Sequence, residues 1–503
     1  MDAMTTEISM VPWLSVLLLL PLAGALLCGL GGLRPAAGRW SALVTALLML
    51  LVTIGLSLTG RQGSAWLAFE DFPWIERLGV RFTLGMDGLS LVMILLTSLL
   101  LVAAVLASWK EADRPSTYFA LILLSATGIV GVFTALDLVL FYICWELMLI
   151  PLFFLIGIWG SGRRVETAFK FFLFSVTGSL LMLLAIIGIY VLHGQQTGDF
   201  TFALASLQGT SWPAGLAPWL YAAFLLAFLI KMPMVPLHRW QPDAYCAAPL
   251  AGTLLLAGIL GKTGVFGLVR IAFPLFPDQA RASLSLLGLL ALLGILYAGW
   301  IAFAQNDLKR LVAYSSVAHL GFIVLGLSSW HPTAVSGSFL QMFNHGLSTA
   351  ALFILIALYE SRTGSRLLPE LGGLWARVPV LSAFFLLFAL ATMGLPGLNN
   401  FAGEILILLG VFAARPWWGG LAIIGLILAA AYVLRMVQGV LWGPGRTGPL
   451  ADLSPREGLV LVPLALLVLW LGLYPETFLE PLRGTAALLL DGSQIISMNG
   501  GLP

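Results

Sequence analysis

Lys231 ends an apolar run, Tyr221 to Ile230, and is followed at once by Pro233, Pro236 and His238. Proline lacks a backbone N–H and clashes with the preceding turn, so this stretch predicts a helix that breaks near Lys231. Five more ionisable residues lie deep in other apolar runs. They are Glu146 in Leu140–Ile150, Lys262 in Leu254–Phe266, His319 in Tyr314–Phe322, His345 in Gln341–Gly346 and Glu404 in Asn400–Leu408. A charge at membrane depth costs about 3 kcal/mol even on the lenient insertion scale. Singly, either histidine could join two helices by a hydrogen bond, and either glutamate could be the structural partner of a lysine. Seven purely structural residues would each carry that burial cost separately.

The chemistry open to such a set is proton transfer. Burial disfavours the charged form of a lysine, and a carboxylate within a few ångströms favours it again. Re-pairing the carboxylate therefore switches the lysine between holding and releasing a proton, at about 1.36 kcal/mol for each pKa unit. Imidazoles, which titrate near neutrality, suit the steps between. The residues thus predict a proton path with a gate. For Glu404 the sequence offers His345, or Lys262 through water, as the positive charge that makes it release a proton. Asp137, at a helix start, reads instead as a cap.

Other chemistries find no support. Gly261-Lys262-Thr263 imitates the end of a phosphate-binding loop, but Leu256 stands where that motif requires glycine. Cys28, Cys144 and Cys246 are scattered without metal-ligand spacing and read as small buried apolar residues. With no haem, iron–sulfur or dinucleotide signature, the chain is expected to perform no redox chemistry itself.

These residues need elements to hold them. Of 503 residues 60% are hydrophobic and 10% charged, and the mean hydropathy is +1.00. That composition predicts an all-α polytopic membrane protein, and a net charge of +2 argues against a nucleic-acid partner. Apolar segments fall at about 11–31, 41–59, 87–108, 117–134, 137–158, 168–192, 217–232, 247–272, 283–304, 311–329, 334–358, 380–412, 417–442 and 458–474. Each approaches the roughly 20 residues that a bilayer needs, which predicts about fourteen transmembrane helices.

Met1–Met10 carries Asp2 and Glu7 and no basic residue, whereas Arg34 and Arg39 follow the first run. This order predicts a retained first helix with its N-terminus outside. Counted over all the loops, Arg34 and Arg39 included, about fourteen basic residues fall inside against six outside, so both termini are expected on the outer side. Residues 1–503 form a single membrane domain. Within it, 117–272 and 283–442 each run to five helices with one Pro-broken member, the second break being Gly394-Leu395-Pro396-Gly397. An odd number of helices would invert the second set relative to the first, and paired breaks in inverted repeats point to a transport site. Residues 1–108 and 458–474 flank the repeats. The stretch 60–86, with Trp66 and Trp74, is expected to be an interfacial cover.

Lys231-Met-Pro-Met-Val-Pro-Leu-His238-Arg-Trp240-Gln-Pro242-Asp243-Ala244 resembles the signature of the antiporter-like membrane subunits of respiratory complex I and of Mrp-type sodium/proton antiporters. Lys309 to Phe322, Asn344 to Phe353 and Met86-Asp87-Gly88-Leu-Ser90 match further motifs of that family, and the similarity spans nearly the whole chain. The resemblance implies a proton-translocating subunit of an NADH:quinone oxidoreductase in the bacterial inner (plasma) membrane. NADH, FMN, iron–sulfur clusters and quinone would lie in partner subunits and no cofactor in this chain; the antiporter-like chains L and N, the bilayer and protons would be its partners. Glutamate at 404 sets the chain apart from L and N, which carry lysine there. The 28 residues after Pro475 are too few for the long lateral helix of chain L.

Carried over by position, Glu146 and Lys231 are expected to be the gating pair, and His238 and Lys262 the central relay. His319 and His345 would link to the second half, and Glu404 would be its terminal proton site. Two departures stand out. Tyr245 occupies a place where the family commonly has histidine, and Gly261 one where it usually has leucine. An Mrp-type antiporter subunit and a passive structural subunit are the alternatives.

Overall fold

The computed structural model describes residues 11–30, 35–59, 66–111, 113–443 and 448–491. Met1–Met10, Arg34, Arg61, Arg446 and 492–503 lie outside these, and with them Asp2, Glu7 and Arg34, on which, together with Arg39, the N-terminal assignment rests. Among the described residues, eleven helices are long and apolar enough to cross a membrane, and Trp13–Gly29, Ala217–Lys231, Pro379–Met393 and Asn399–Ala414 are shorter apolar helices. A polytopic membrane protein is the architecture. Three of its long helices begin at an aspartate cap. Asp87 accepts from Ser90 N, Asp137 from Val139 and Leu140 N, and Asp307 from Lys309 and Arg310 N. Asp137 is thus the cap that its position suggested.

The helices are not equally enclosed. An 18-residue apolar stretch of the Lys262 helix, Leu250–Leu275, is wholly buried, and 94% of the corresponding stretch of the His319 helix, Leu308–Ser328. The figure is 28% for Ala36–Leu58, whose side chains face outward. Lys262, His319 and His345 therefore ride on the most enclosed of the long helices, whereas the apolar stretch of the Glu146 helix, Leu138–Trp159, is 56% buried. Cys28, Cys144 and Cys246 are all buried and unpaired.

Both predicted breaks are present. The first helix ends at Lys231, a single 3-10 turn follows at Leu237–Arg239, and Trp240–Ala247 resumes the path. The segment read as one run over 380–412 divides at Gly394–Leu398 into Pro379–Met393 and Asn399–Ala414. The backbone bonding at the two breaks is alike: Met234 N donates to Leu229 O and Leu395 N to Leu390 O, each five residues back.

The all-α expectation needs one addition. Ala68–Ile75 and Val80–Met86 pair as an antiparallel hairpin, Ala68 opposite Met86. Gly79 at its turn has φ 66°, and a Cβ there would meet Phe200 O at 1.8 Å, so only glycine fits. Glu70, buried in the hairpin, accepts from Leu14 N and Ser15 N and so caps the first helix from a distance. The cover is thus tied to the helices beneath it rather than lying loosely on them.

One backbone clip occurs twice. Leu138 N donates to Phe202 O and Leu204 N to Leu136 O, around the cap Asp137; Leu308 N donates to Arg366 O and Leu368 N to Asn306 O, around the cap Asp307. The clips lie at opposite ends of the helices. The far end of the Asp137 helix meets Ala247 through Ser161 N, and nearby Asp243 binds Arg310 beside Asp307. At that second end Asp243 also takes Lys170 Nζ at 2.6 Å, joining the Lys170 helix to the His319 helix.

Candidate functional site

Lys231 Nζ is buried at the end of the first half-helix, with no protein hydrogen-bond partner. It lies 4.9 Å from the ring centroid of Trp145, a cation–π contact. Glu146, the next residue along, has Oε1 buried and likewise without a partner, and its charge acts on Lys231. The expected pair is therefore brought together, but no ion pair joins it among the described residues. His238, on the 3-10 turn past the break, is buried with Nδ1 unpartnered and its ring edge-on to Tyr297 at 5.5 Å.

Lys262 is fully buried, and its Nζ donates to Ala257 O at 2.8 Å. That carbonyl belongs to a π turn, Leu256–Leu260, in which the helix widens and carbonyls are released from the regular ladder. The Lys262 helix crosses the His345 helix, Pro332–Thr363, so closely that a Cβ on Gly346 would meet Gly258 O at 2.5 Å.

Around the second break the groups are bonded to each other. His319 Nδ1 lies 2.8 Å from Glu404 Oε1, and Gln341 Nε2 donates to the same oxygen at 3.1 Å. A carboxylate only accepts, so with Glu404 ionised Nδ1 is the donor. His319 Nε2 faces Tyr432 Oη at 3.4 Å, which meets Ser315 Oγ at 2.8 Å. His345 stands with its ring centroid 5.5 Å from that of His319, and its Nε2 meets Ser316 Oγ at 3.1 Å. Glu404 Oε2 reaches the break itself, since a Cβ on Gly394, whose φ is 80°, would meet it at 2.8 Å.

This corrects one expectation. The group in hydrogen-bond contact with Glu404 is neither His345 nor Lys262 but His319, 85 residues away in sequence. Apolar periodicity does not reveal which faces of two innermost helices meet. Sequence reasoning also missed Gln341 and Tyr432. Gln341 was readable as a polar residue one turn before His345, whereas a tyrosine in an apolar run carries no such signal. Tyr245, at the family's histidine place, donates through Oη to Leu256 O at 2.9 Å. Among the described residues no group of three His, Cys, Asp or Glu is placed to hold a metal.

A family model described as NADH:quinone oxidoreductase/Mrp antiporter, TM matches residues 135–429, the part that contains both breaks and all seven residues. The chain belongs to that family. It is 42% identical to NADH-quinone oxidoreductase subunit M of Pseudomonas aeruginosa, over 93% of this chain and 95% of that one. With subunit M of Escherichia coli it shares 40%, over 94% and 96%. A chain of respiratory complex I from Thermus thermophilus with bound NADH superposes with a TM-score of 0.88 at 33% identity, covering 95% of this chain and 99% of that one. A chain of the Mrp complex from a Dietzia species gives 0.84 at 21% identity, over 97% and 100%, a likeness of fold alone. Within the NADH:quinone oxidoreductase/Mrp antiporter family this is an M-type, antiporter-like membrane subunit of a larger ion-translocating complex.

Proposed function

We infer that this chain moves protons across a bacterial inner membrane as part of an NADH:quinone oxidoreductase, beside chains L and N. Electron transfer in other subunits drives it. Glu146 and Lys231 gate the path, His238 and Lys262 carry it centrally, His319 and His345 link the halves, and Glu404 is the terminal site. The observation that carries this reading is Lys231, an ammonium buried at a helix break without a protein acceptor. An isolated buried charge raises the free energy of its surroundings, and a structural lysine would be expected to hold a partner. The M-type relatives at 40% and 42% identity favour the oxidoreductase over an Mrp-type antiporter.

In this reading the eleven long helices, Trp13–Gly29 and the two broken spans make up fourteen crossings. The two Asp-capped clips at opposite ends, and the matching bonds at the two breaks, support inverted five-helix repeats over 117–272 and 283–442. An even number of crossings puts both termini on one side, and the excess of basic residues in the inner loops makes that the periplasmic side.

The test is proton translocation by the assembled complex carrying Glu146→Gln, Lys231→Ala or both. Each single change abolishes translocation, and the double change adds nothing, as for residues of one network. Normal translocation by Glu146→Gln would make the pair structural. Translocation that depends on sodium would favour the antiporter.

A further inference from the structure

Three consecutive carbonyls of the π turn Leu256–Leu260 face three different groups. Leu256 O accepts from Tyr245 Oη at 2.9 Å, Ala257 O accepts from Lys262 Nζ at 2.8 Å, and Gly258 O lies against the backbone of Gly346. A π turn closes its bonds five residues apart and so turns carbonyls out of the ladder. Buried in apolar surroundings, each needs a donor. Leu256 and Ala257 are adjacent, so their carbonyls compete for the donors at hand.

Tyr245 is itself held in place. It is 1% exposed, its ring packs edge-on against Phe353 with centroids 5.9 Å apart, and its carbonyl accepts from Thr253 Oγ1 at 3.2 Å. It sits on Trp240–Ala247, the helix just beyond the first break. Its hydroxyl thus reaches from the far side of that break to the turn on which Lys262 rests. A phenol keeps its proton throughout the neutral range, so this donor is constant where an imidazole's would come and go.

We propose that Tyr245 is the positioning residue for Lys262: by occupying the Leu256 carbonyl it leaves the Ala257 carbonyl as the single acceptor of the lysine. Lys262 is then fixed on the turn that crosses the His345 helix at Gly346, one residue from His345. Without the hydroxyl, the ammonium divides itself between two carbonyls and spends less time in the place from which the next group is reached. The inference rests on the reading of Lys262 as a proton carrier.

The experiment compares Tyr245→Phe, Tyr245→His and Lys262→Ala in the assembled oxidoreductase, as protons translocated per assembled complex. Tyr245→Phe keeps the ring and loses the donor, and translocation falls about five-fold, the factor carried by one typical hydrogen bond. Tyr245→His returns a donor and restores the rate to within about two-fold. Wild-type rates with Tyr245→Phe, or a Tyr245→His variant as slow as Tyr245→Phe, overturn the proposal. So does a loss confined to the amount of complex assembled, which would make the hydroxyl merely structural. If Lys262→Ala is silent while Tyr245→Phe is normal, only the positioning role fails; if Lys262→Ala translocates normally, the carrier reading fails and takes this inference with it.

Discussion

The two broken helices share a backbone and differ in how their charges are satisfied. At the first, Lys231 Nζ, Glu146 Oε1 and His238 Nδ1 are all buried without a protein hydrogen-bond partner. At the second, Glu404 Oε1 has two donors, and His319 has a partner on each ring nitrogen. Some amides nearby do lack partners, Asn400 among them, as does His345 Nδ1, but the acid and its histidine do not. The charges also sit on different halves of their helices: Lys231 closes the segment before its break, and Glu404 lies in the segment after. Repetition of the chain path has therefore not repeated the electrostatics. An unpartnered ammonium is poised to re-pair, whereas a hydrogen-bonded chain gives a proton a defined place and stiffens the groups around it.

The sharpest way to break this comparison is to neutralise each half and weigh function against stability. Lys231→Met should abolish translocation while leaving thermal stability unchanged or raising it by up to about 3 kcal/mol, the cost of burying the charge. A clear fall in the melting temperature of the purified complex would mean that Lys231 has a partner after all. The second half should answer in the opposite sense. His319→Leu removes one of the two donors from a buried carboxyl, at about 1–3 kcal/mol. Glu404→Gln keeps the shape and a hydrogen-bond acceptor, so it should assemble with a loss of about 1–3 kcal/mol and yet not translocate. Full translocation by Glu404→Gln would place the terminal site elsewhere.

The shared backbone yields a matched pair. Asp137→Ala and Asp307→Ala each remove a cap from the second helix of a proposed repeat, and each should cost about 1–2 kcal/mol. Thermal melts differing by more than about 2 kcal/mol would show that the clips are not equivalent. A smaller effect belongs to the hairpin. Burial pushes the Asp71 carboxyl up, but hydrogen bonds from Arg81 and Thr83 and the Arg81 charge outweigh it and hold the carboxyl below its ordinary value. A folded value below the unfolded one stabilises the protein fully above the unfolded value, about pH 4, and the gain is lost as pH falls through the folded value. Asp71→Asn should thus cost under about 1 kcal/mol at neutral pH, because Arg81 is partly exposed and screened, and nothing near pH 2. A cost that persists in acid would trace to the shape of the carboxyl rather than its charge.

Much of this was readable from residues alone. Apolar runs long enough for a bilayer leave helix as the available backbone, because no water satisfies the peptide groups there. Pro233 and Pro236 broke the first helix where they had to, the Gly394–Gly397 stretch broke the second, and Asp137 capped as its position demanded. Six of the seven ionisable residues of the proposed path could be picked out by their cost in or at the end of such runs, and His238 by its place at the break.

Contact was another matter. The sequence carried no sign that His319 rather than His345 meets Glu404, that Trp145 rather than Glu146 covers the Lys231 ammonium, or that Tyr245 and Lys262 share one π turn. Nor did it announce a strand pair between membrane helices or a glutamate that caps a helix 55 residues before it. Hydropathy reports how far a side chain must be kept from water, which each segment settles by itself. Which side chains then meet depends on the rotation and depth of helices packed on every side, as the wholly buried Lys262 helix is, and those are fixed jointly by all its neighbours.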